Sequence, residues 1–241
     1  MTTAHCPLPV EYVIPLRWAD DRNLPELTDY LRDLHTWVDV TVVDGSDAEL
    51  FAAHAAAWPM VRHLPVDDWP GRNRKVAGVV TGVRAARHEC VVIADDDVRY
   101  RPEQLAEILS RLAGADLVRP QNVFQPLPWH ARWDTARALL NRAFGSDYPG
   151  TFGVRKSAFD KVGGYDERFA WWGADDHSFG ITMQAMWGEP VWLPGVAYHL
   201  WHPPQEDTAH GHPQVKKGHA LYARYKRAQG DEEAVRAVRW P

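Results

Sequence analysis

The chain has 241 residues, of which 45% are hydrophobic and 24% are charged. This composition is typical of a globular protein and excludes disorder, a collagen triple helix or a coiled coil as the main state. The 27 lysines and arginines are outnumbered by 32 aspartates and glutamates, which gives a net charge of −5. No basic field therefore points to a nucleic-acid partner.

The cellular location is predicted from cysteine usage and from the apolar segments. The two cysteines, Cys6 and Cys90, do not make a disulfide scaffold and fit a reducing compartment. No apolar run approaches the ~18 residues that a membrane-spanning helix needs. The first residues lack a basic region followed by an apolar region, so no secretory signal is visible. We expect a cytoplasmic protein without an integral membrane segment.

In the first half of the chain, short apolar runs alternate with segments of helical periodicity. The predicted strands are residues 12–14, 38–43, 61–66, 91–93 and 117–118, and the predicted helices are 27–34, 47–58, 73–87 and 102–112. Such alternation favours an α/β fold, with a doubly wound, mostly parallel sheet covered by helices on both faces. Ligands bind such sheets beyond the carboxyl ends of the strands, where Asp44 and Asp95–Asp97 fall.

The second half is less regular. Residues 119–150 are rich in Pro, Trp and Arg, and the pattern predicts one helix over 132–143. A strand at 151–154, a helix at 176–186 and short strands at 191–193 and 197–200 follow. From Gln214 onwards the pattern is that of a charged helical tail. No clean boundary divides the chain, so we expect a single domain spanning residues 1–241.

Three consecutive carboxylates, Asp95, Asp96 and Asp97, follow the apolar strand that ends at Ala94. Like charges in a row repel one another, and a divalent cation makes such a cluster favourable. Alternate residues of an extended segment face the same side, so Asp95 and Asp97 could serve one ligand together. The alternative is a solvated acidic turn that caps the helix beginning at Pro102.

A second cluster follows the paired glycines at 163–164, which permit a tight turn. Trp171 and Trp172 precede the acidic pair Asp175 and Asp176. Aromatic rings with carboxylates at their edge suit a polyol, and one carboxylate could act as general base on a hydroxyl. The alternative is a core tryptophan pair beside a helix whose N-terminus the acidic residues complement.

A histidine at the end of a short predicted strand, His199, could complete a metal shell begun by Asp97. Carboxylate oxygens with one imidazole suit Mn²⁺ or Mg²⁺. His199 and His202 lack the helical spacing and the intervening glutamate of zinc peptidases. For either histidine, a surface or core role is the alternative.

The motifs occur in a defined order along the chain. They are Ile14-Pro15, Val42-Val43-Asp44-Gly45-Ser46, Gly71 with Arg74-Lys75, Asp95-Asp96-Asp97, Val162-Gly163-Gly164-Tyr165-Asp166, Trp172-Gly173-Ala174-Asp175-Asp176 and His199. This order and spacing resemble the family 2 nucleotide-sugar glycosyltransferases of the GT-A fold over residues 10–205. The resemblance implies a metal-dependent transfer of a sugar from a nucleotide diphosphate sugar, most commonly a UDP-sugar, to an acceptor hydroxyl with inversion at the anomeric carbon.

The resemblance also divides the chain into a nucleotide-binding half at about 10–118, an acceptor and catalytic half at about 119–205, and a C-terminal lid or tail at about 206–241. The segment 210–213 with Lys216 and Lys217 is either a lid over the diphosphate or a solvated tail. The implied partners are a nucleotide diphosphate sugar and a small-molecule or glycan acceptor, with Mn²⁺ or Mg²⁺ as cofactor.

Individual roles follow from the same resemblance. The implied nucleotide-sugar-binding residues are Ile14, Pro15, Leu16, Arg17, Asp44, Arg74, Lys75, Asp95 and Asp96, with Asp44 accepting from the base. The implied metal ligands are Asp97, His199, Asp95 and His202. The implied acceptor-binding residues are Trp171, Trp172 and Trp129.

The catalytic base implied by the resemblance is Asp176, or Asp175 in the other register. The register is open because the family usually shows Glu-Asp, whereas this chain has Asp175-Asp176 after Ala174. The family also often has a small residue and an asparagine where this chain has Leu16-Arg17-Trp18, so the base pocket is expected to differ.

Two other functions compete with this one. A nucleotidyltransferase would carry a Gly-rich basic loop directly after the first strand, and residues 16–19 do not supply one. A catalytically inactive nucleotide-sugar-binding module would not need a base. The presence of Asp95, Asp97, Asp176 and His199 argues against that second alternative.

Overall fold

The computed structural model describes residues 8–68, 73–125, 136, 151–169, 174–200 and 213–241, which form eight strands and eight helices. The strands are β1 Leu8–Leu16, β2 Val38–Asp44, β3 Arg62–Pro65, β4 Cys90–Ala94, β5 Val98–Arg99, β6 Leu117–Gln125, β7 Thr151–Arg155 and β8 Val191–Leu200. The helices are α1 Leu24–Leu34, α2 Ala48–Ala57, α3 Arg74–Ala85, α4 Pro102–Leu112, α5 Lys156–Lys161, α6 Asp175–Trp187, α7 Pro213–Ala228 and α8 Glu232–Arg239. A membrane-spanning helix needs about 20 apolar residues, and none of these described helices meets that requirement.

The strands form one sheet in the order β3-β2-β1-β4-β7-β6-β8-β5. Strands β1, β2, β3 and β4 run parallel to one another, and β6 runs parallel to β8. Strand β7 runs antiparallel between β4 and β6, and β5 runs antiparallel to β8. The predicted α/β fold with a mostly parallel sheet is therefore confirmed. The antiparallel β7 is a feature that the apolar pattern of 151–154 did not reveal.

Helices cover both faces of the sheet, as the doubly wound pattern predicts. One apolar cluster joins the strands to α1 and α4 through residues such as Tyr12, Leu31 and Leu105. The cluster on the opposite face joins them to α3, α5 and α6 through residues such as Val80 and Phe179. Both faces of strands β1 and β4 are buried, which is why their sequences are apolar almost throughout.

Helix α3 lies very close to the parallel strands. Its N-cap Asn73 accepts a hydrogen bond from the backbone N–H of Val76 at 3.2 Å, which fixes where the helix begins. One turn from its end, a Cβ at Gly82 would come within 2.3 Å of the Val13 side chain. The glycine therefore allows the helix to pack against β1, and the first turn of α3 carries Lys75 to the carboxyl edge of the sheet.

The two C-terminal helices pack against α6. An apolar cluster containing Phe169, Ile181 and Tyr225 joins them, and Val235 and Val238 of α8 are part of it. The guanidinium of Arg239 donates to the carbonyls of residues 162–165 at 3.1–3.3 Å. Residues 213–241 therefore belong to the packed fold, whereas residues 210–212 of the proposed lid or solvated tail lie outside the described residues, and that choice stays open. The predicted helix over 132–143 lies outside the described residues apart from Ala136.

Candidate active site

One lysine joins the two halves of the chain at the carboxyl edge of the sheet. Asp95 directly follows β4, Lys75 lies in the first turn of α3, and Asp176 lies in the first turn of α6. The Nζ of Lys75 is 3.0 Å from Oδ1 of Asp95 and 3.5 Å from Oδ2 of Asp176. Burial alone would lower the pKa of Lys75, but the carboxylates of Asp176 and Asp95 outweigh it and hold that pKa well above its ordinary value. The lysine is therefore a permanent cation between two carboxylates.

The short strand β5 brings Asp97 next to His199. Val98 pairs with His199 across the antiparallel β5–β8 ladder, and the Leu200 N–H donates to the carbonyl oxygen of Asp97 at 2.7 Å. As a result, Nε2 of His199 lies 3.5 Å from Oδ2 of Asp97. The imidazole and the carboxylate approach each other although they come from opposite halves of the chain.

Negative charge is concentrated around Asp95. Burial, together with repulsion from Asp176 and Asp97, raises the pKa of Asp95 to about 7 in spite of the neighbouring Lys75. Burial and repulsion from Asp97 also raise the pKa of Asp96, although the Trp18 indole N–H donates to it at 2.7 Å. A cation placed among these carboxylates would relieve the repulsion.

The start of α6 distinguishes the two candidate bases. Ala174 has a φ of 66°, a left-handed conformation that is costly for a residue other than glycine, and it sets Asp175 and Asp176 in the first helical turn. Asp175 is 5% exposed, and burial with repulsion from Asp176 raises its pKa to about 7. Oδ1 of Asp176 accepts a hydrogen bond of 2.9 Å from the Tyr165 hydroxyl, and its other oxygen faces Lys75. Of the pair, Asp176 is the one oriented towards Asp95.

A buried arginine beneath α6 belongs to the same region and was not predicted. Arg119 is 6% exposed, and burial lowers its pKa to about 10 despite the attraction of Tyr165 and Asp176. A Cβ at Gly180 would lie 2.2 Å from its guanidinium, so the glycine makes room for it. Trp18 and Tyr165 are further site residues that were not predicted. Gly180 within a helical pattern is the only sequence signal that pointed towards such a close approach.

The residues predicted to line the nucleotide pocket lie at the end of β1. Ile14 and Leu16 are 1% and 4% exposed, and Pro15 is also buried. The side chains of Ile14 and Leu16 belong to the core because β1 is a central strand, so the backbone of this segment is the part that could face a nucleotide, and the predicted role in the pocket stays a prediction. Arg17 follows at the strand end and is exposed, so its side chain remains available to a ligand.

Asp44 is buried and engaged with protein partners. Its side chain has no exposed surface, and it accepts hydrogen bonds from the Ser46 N–H at 2.8 Å, the His54 Nδ1–H at 2.6 Å and the His63 Nε2–H at 3.1 Å. Burial alone would raise its pKa, but hydrogen bonds from His63, Ser46 and His54 hold the pKa well below its ordinary value. These three donors come from the protein itself, and the expected contact between Asp44 and a nucleotide base stays a prediction.

The side chains of the remaining predicted site residues lie outside the described part of the structure. Arg74 begins α3, but its side chain is outside the described part of the structure. Trp129, Trp171, Trp172 and His202 also lie outside the described residues.

Comparison with known proteins agrees with this architecture. Residues 42–121 match the model of glycosyl transferase family 21, whereas the motifs resembled family 2. No curated protein matches the chain. A mannosyltransferase from Pyrobaculum calidifontis, solved with GDP-mannose and Mn²⁺, is 19% identical with a TM-score of 0.61, over 97% of this chain and 72% of that one.

A second solved structure is similar to a comparable degree. The glucosyl-3-phosphoglycerate synthase from Mycobacterium tuberculosis, solved with Mn²⁺, UDP-glucose and phosphoglyceric acid, is 16% identical with a TM-score of 0.56, over 88% of this chain and 78% of that one. At these identities the likeness shows a shared fold, and the family model adds the enzyme class. The chain is a glycosyltransferase of the GT-A type, as the order of its motifs predicted.

Proposed function

We propose that the chain is a metal-dependent, inverting glycosyltransferase that transfers a sugar from a nucleotide diphosphate sugar, with UDP-sugars as the first candidates, to an acceptor hydroxyl. The observation that carries the proposal is the position of Lys75 between Asp95 and Asp176. It brings the acidic motif after β4 and the acidic pair of α6 into one cleft, although they come from opposite halves of the chain. A donor site and a base for the acceptor need this proximity.

The residues near β5 and β8 fit a divalent cation. Asp97, Asp95 and His199 offer carboxylate oxygens and one imidazole, the donors that Mn²⁺ or Mg²⁺ accepts. Burial and the crowding of carboxylates raise the pKa of Asp95 to about 7, and a cation would relieve the crowding. A bound divalent ion stabilises negative charge on a leaving diphosphate. Both solved structures described above contain Mn²⁺.

Asp176 is the proposed general base. The Tyr165 hydroxyl and the Lys75 ammonium hold its carboxylate in one orientation, with contacts of 2.9 and 3.5 Å. In that orientation Asp176 can accept the proton of an acceptor hydroxyl while the hydroxyl oxygen attacks the anomeric carbon. A single displacement of this kind, in which the leaving diphosphate departs from the opposite face, inverts the anomeric configuration.

Arg17, Trp129, Trp171 and Trp172 stay proposed ligand contacts, Arg17 for the nucleotide and the tryptophans for the acceptor. The two comparison structures contain GDP-mannose and UDP-glucose respectively, so both nucleotides belong in a donor screen. The single-domain organisation over residues 1–241 and the cytoplasmic location also stay predictions.

The experiment that tests the proposal is a screen of UDP- and GDP-sugars with Mn²⁺, Mg²⁺ or a chelator, against a panel of small polyol and glycan acceptors. We expect nucleoside diphosphate release that needs the metal, and NMR of the product should show the inverted anomer. Release of pyrophosphate would instead support a nucleotidyltransferase. Donor binding without turnover on any acceptor would support an inactive binding module.

Two variants separate the proposed roles. Asp176→Asn should keep donor binding and lose turnover by at least about 100-fold, the usual scale of general-base catalysis. Asp97→Asn should weaken both metal and donor binding. Asp160→Asn, an exposed aspartate on α5, is the matched control and should behave as the wild type. If Asp97→Asn leaves binding and turnover unchanged, the proposed metal role is wrong.

A further inference from the structure

A second cluster of potential metal ligands lies away from Asp97, at the outer edge of the sheet. Asp44 ends β2, His54 lies in α2, and His63 lies in β3, so three consecutive elements contribute one residue each. The side chains of Asp44 and His54 have no exposed surface, and that of His63 is 7% exposed. Within the described part of the chain, this is the group of three such residues whose ligand atoms all lie within 4.8 Å of one another.

The distances are close to those of a coordination site. Nδ1 of His54 is 2.6 Å and Nε2 of His63 is 3.1 Å from the same oxygen, Oδ2 of Asp44. Zinc bonds of ~2.0–2.2 Å in tetrahedral geometry place neighbouring ligand atoms roughly 3.3–3.5 Å apart. Side-chain displacements of about 1 Å or less would therefore let the three atoms surround one ion.

The two imidazole rings converge on one oxygen atom of Asp44. Nε2 of His54 and Nδ1 of His63 are buried, and neither has a hydrogen-bond partner among the described residues. Both imidazoles therefore use only the nitrogen that points to the shared carboxylate oxygen. A cation at this point would displace the ring protons that face Asp44, and the far nitrogens would then carry the N–H groups.

Aromatic rings enclose the cluster. Trp58 stacks on His54 with centroids 4.8 Å apart, Phe51 lies 4.3 Å from His63, and Trp18 meets His54 edge-on at 5.2 Å. These rings lower the local dielectric around the carboxylate, which strengthens its attraction for a cation.

We propose that Asp44, His54 and His63 form a zinc site that holds β2, α2 and β3 together. Two imidazoles and one carboxylate are an established protein ligand set for Zn²⁺, with water completing the coordination. This nitrogen-rich set differs from the oxygen-rich set around Asp97, so the two sites should prefer different ions. The Trp18 ring that packs on His54 also donates to Asp96, so the zinc site would stabilise one wall of the active site.

Metal content tests the proposal without reference to sugar transfer. Full-length, tag-free wild-type protein is incubated with a small excess of Zn²⁺, passed through gel filtration and analysed for metal. We expect about one zinc per chain, and a chelator should lower the melting temperature until zinc is added back. Chelated protein given Co²⁺ alone should show the visible absorption of tetrahedral cobalt. A wild type without stoichiometric zinc would overturn the proposal.

Variants locate the ion. His63→Gln is the preferred variant because His63 is the least buried ligand, and it should lose zinc affinity at least tenfold and lose the melting response to zinc. His219→Gln, an exposed histidine on α7, should keep both. Asp97→Asn should also retain zinc, whatever happens to glycosyl transfer. Zinc that survives His63→Gln but is lost in Asp97→Asn would place the ion elsewhere and refute the assignment.

Discussion

Replacing Lys75 with methionine tests the electrostatic centre of the site. The variant keeps most of the side-chain volume but removes the cation that lies 3.0 Å from Asp95 and 3.5 Å from Asp176. At the dielectric constant of bulk water these contacts contribute about 1.4 and 1.2 kcal/mol, and about four times as much at an effective value near 20. Because the Lys75 side chain is 38% exposed, solvent screening favours the lower figures.

The loss of stability in Lys75→Met should depend on pH. The pKa of Asp95 is raised from its ordinary value of 3.8 to about 7, so its ionisation opposes folding and stability falls as pH rises between these values. At pH 5.5 Asp95 is protonated, and the variant should lose only the contact with Asp176, about 1 kcal/mol. At pH 9 Asp95 is ionised, and the loss of stability should grow to about 2–3 kcal/mol. The difference between the two pH values is then about 1.4 kcal/mol, the free energy that corresponds to one pKa unit.

Urea denaturation of chelator-treated protein at the two pH values, followed by tryptophan fluorescence, measures this difference. Lys75→Arg should recover most of the lost stability at pH 9 because it restores the positive charge. Lys217→Met, which removes an exposed lysine on α7, serves as the control and should have little effect at either pH. An equal loss at pH 5.5 and pH 9 in Lys75→Met would refute the reasoning, since it would show that Lys75 contributes through packing alone.

Three further substitutions test individual contacts. Tyr165→Phe removes the hydroxyl that donates to Asp176, a hydrogen bond that contributes ~1.5–3 kcal/mol. The variant should lower kcat about tenfold or more and leave the donor KM unchanged. A change in KM alone would contradict this. Gly180→Ala should lower the free energy of unfolding by about 1–3 kcal/mol, because the added methyl group would contact Arg119. Helix propensity alone predicts a gain of about 1 kcal/mol. Thermal or urea denaturation separates the two, since they predict opposite signs for the change in stability. Trp18→Phe removes the indole N–H that donates to the partly buried Asp96, and it should lower the free energy of unfolding by about 1–3 kcal/mol in urea denaturation at pH 8. Full wild-type stability would exclude a role for that bond.

The sequence predicted the strand–helix alternation of the first half because apolar periodicity is a local property. Val91–Ile93 appears as a buried strand since all of its residues are apolar, and the carboxylates that follow necessarily fall at the carboxyl end of β4. Asp47 and Asn73 predict helix starts because a side-chain cap acts within three residues.

Contacts within the candidate site depend on tertiary structure. Lys75 reaches Asp176 across a separation of 101 residues, and the sequence offered Lys75 only as a nucleotide-sugar contact. The sequence suggested that Asp97 and His199 share a metal, but the pairing of β5 with β8 that brings them together was not predicted, because a two-residue strand leaves no apolar pattern. The sequence likewise left the register of the acidic pair open, and the contact of Asp176 with Lys75 is a tertiary feature that supports Asp176 as the proposed base.

The two histidines beside Asp44 show the same limit most clearly. His54 sits in an alanine-rich helix and His63 in a short strand, and their spacing from Asp44 matches no compact ligand motif. They converge because β2, α2 and β3 fold back on one another at the sheet edge. The order of motifs along the chain thus determined the fold class and the enzyme class. Long-range packing decided which charged and imidazole side chains meet, because those contacts depend on the three-dimensional path of the backbone and leave no local pattern.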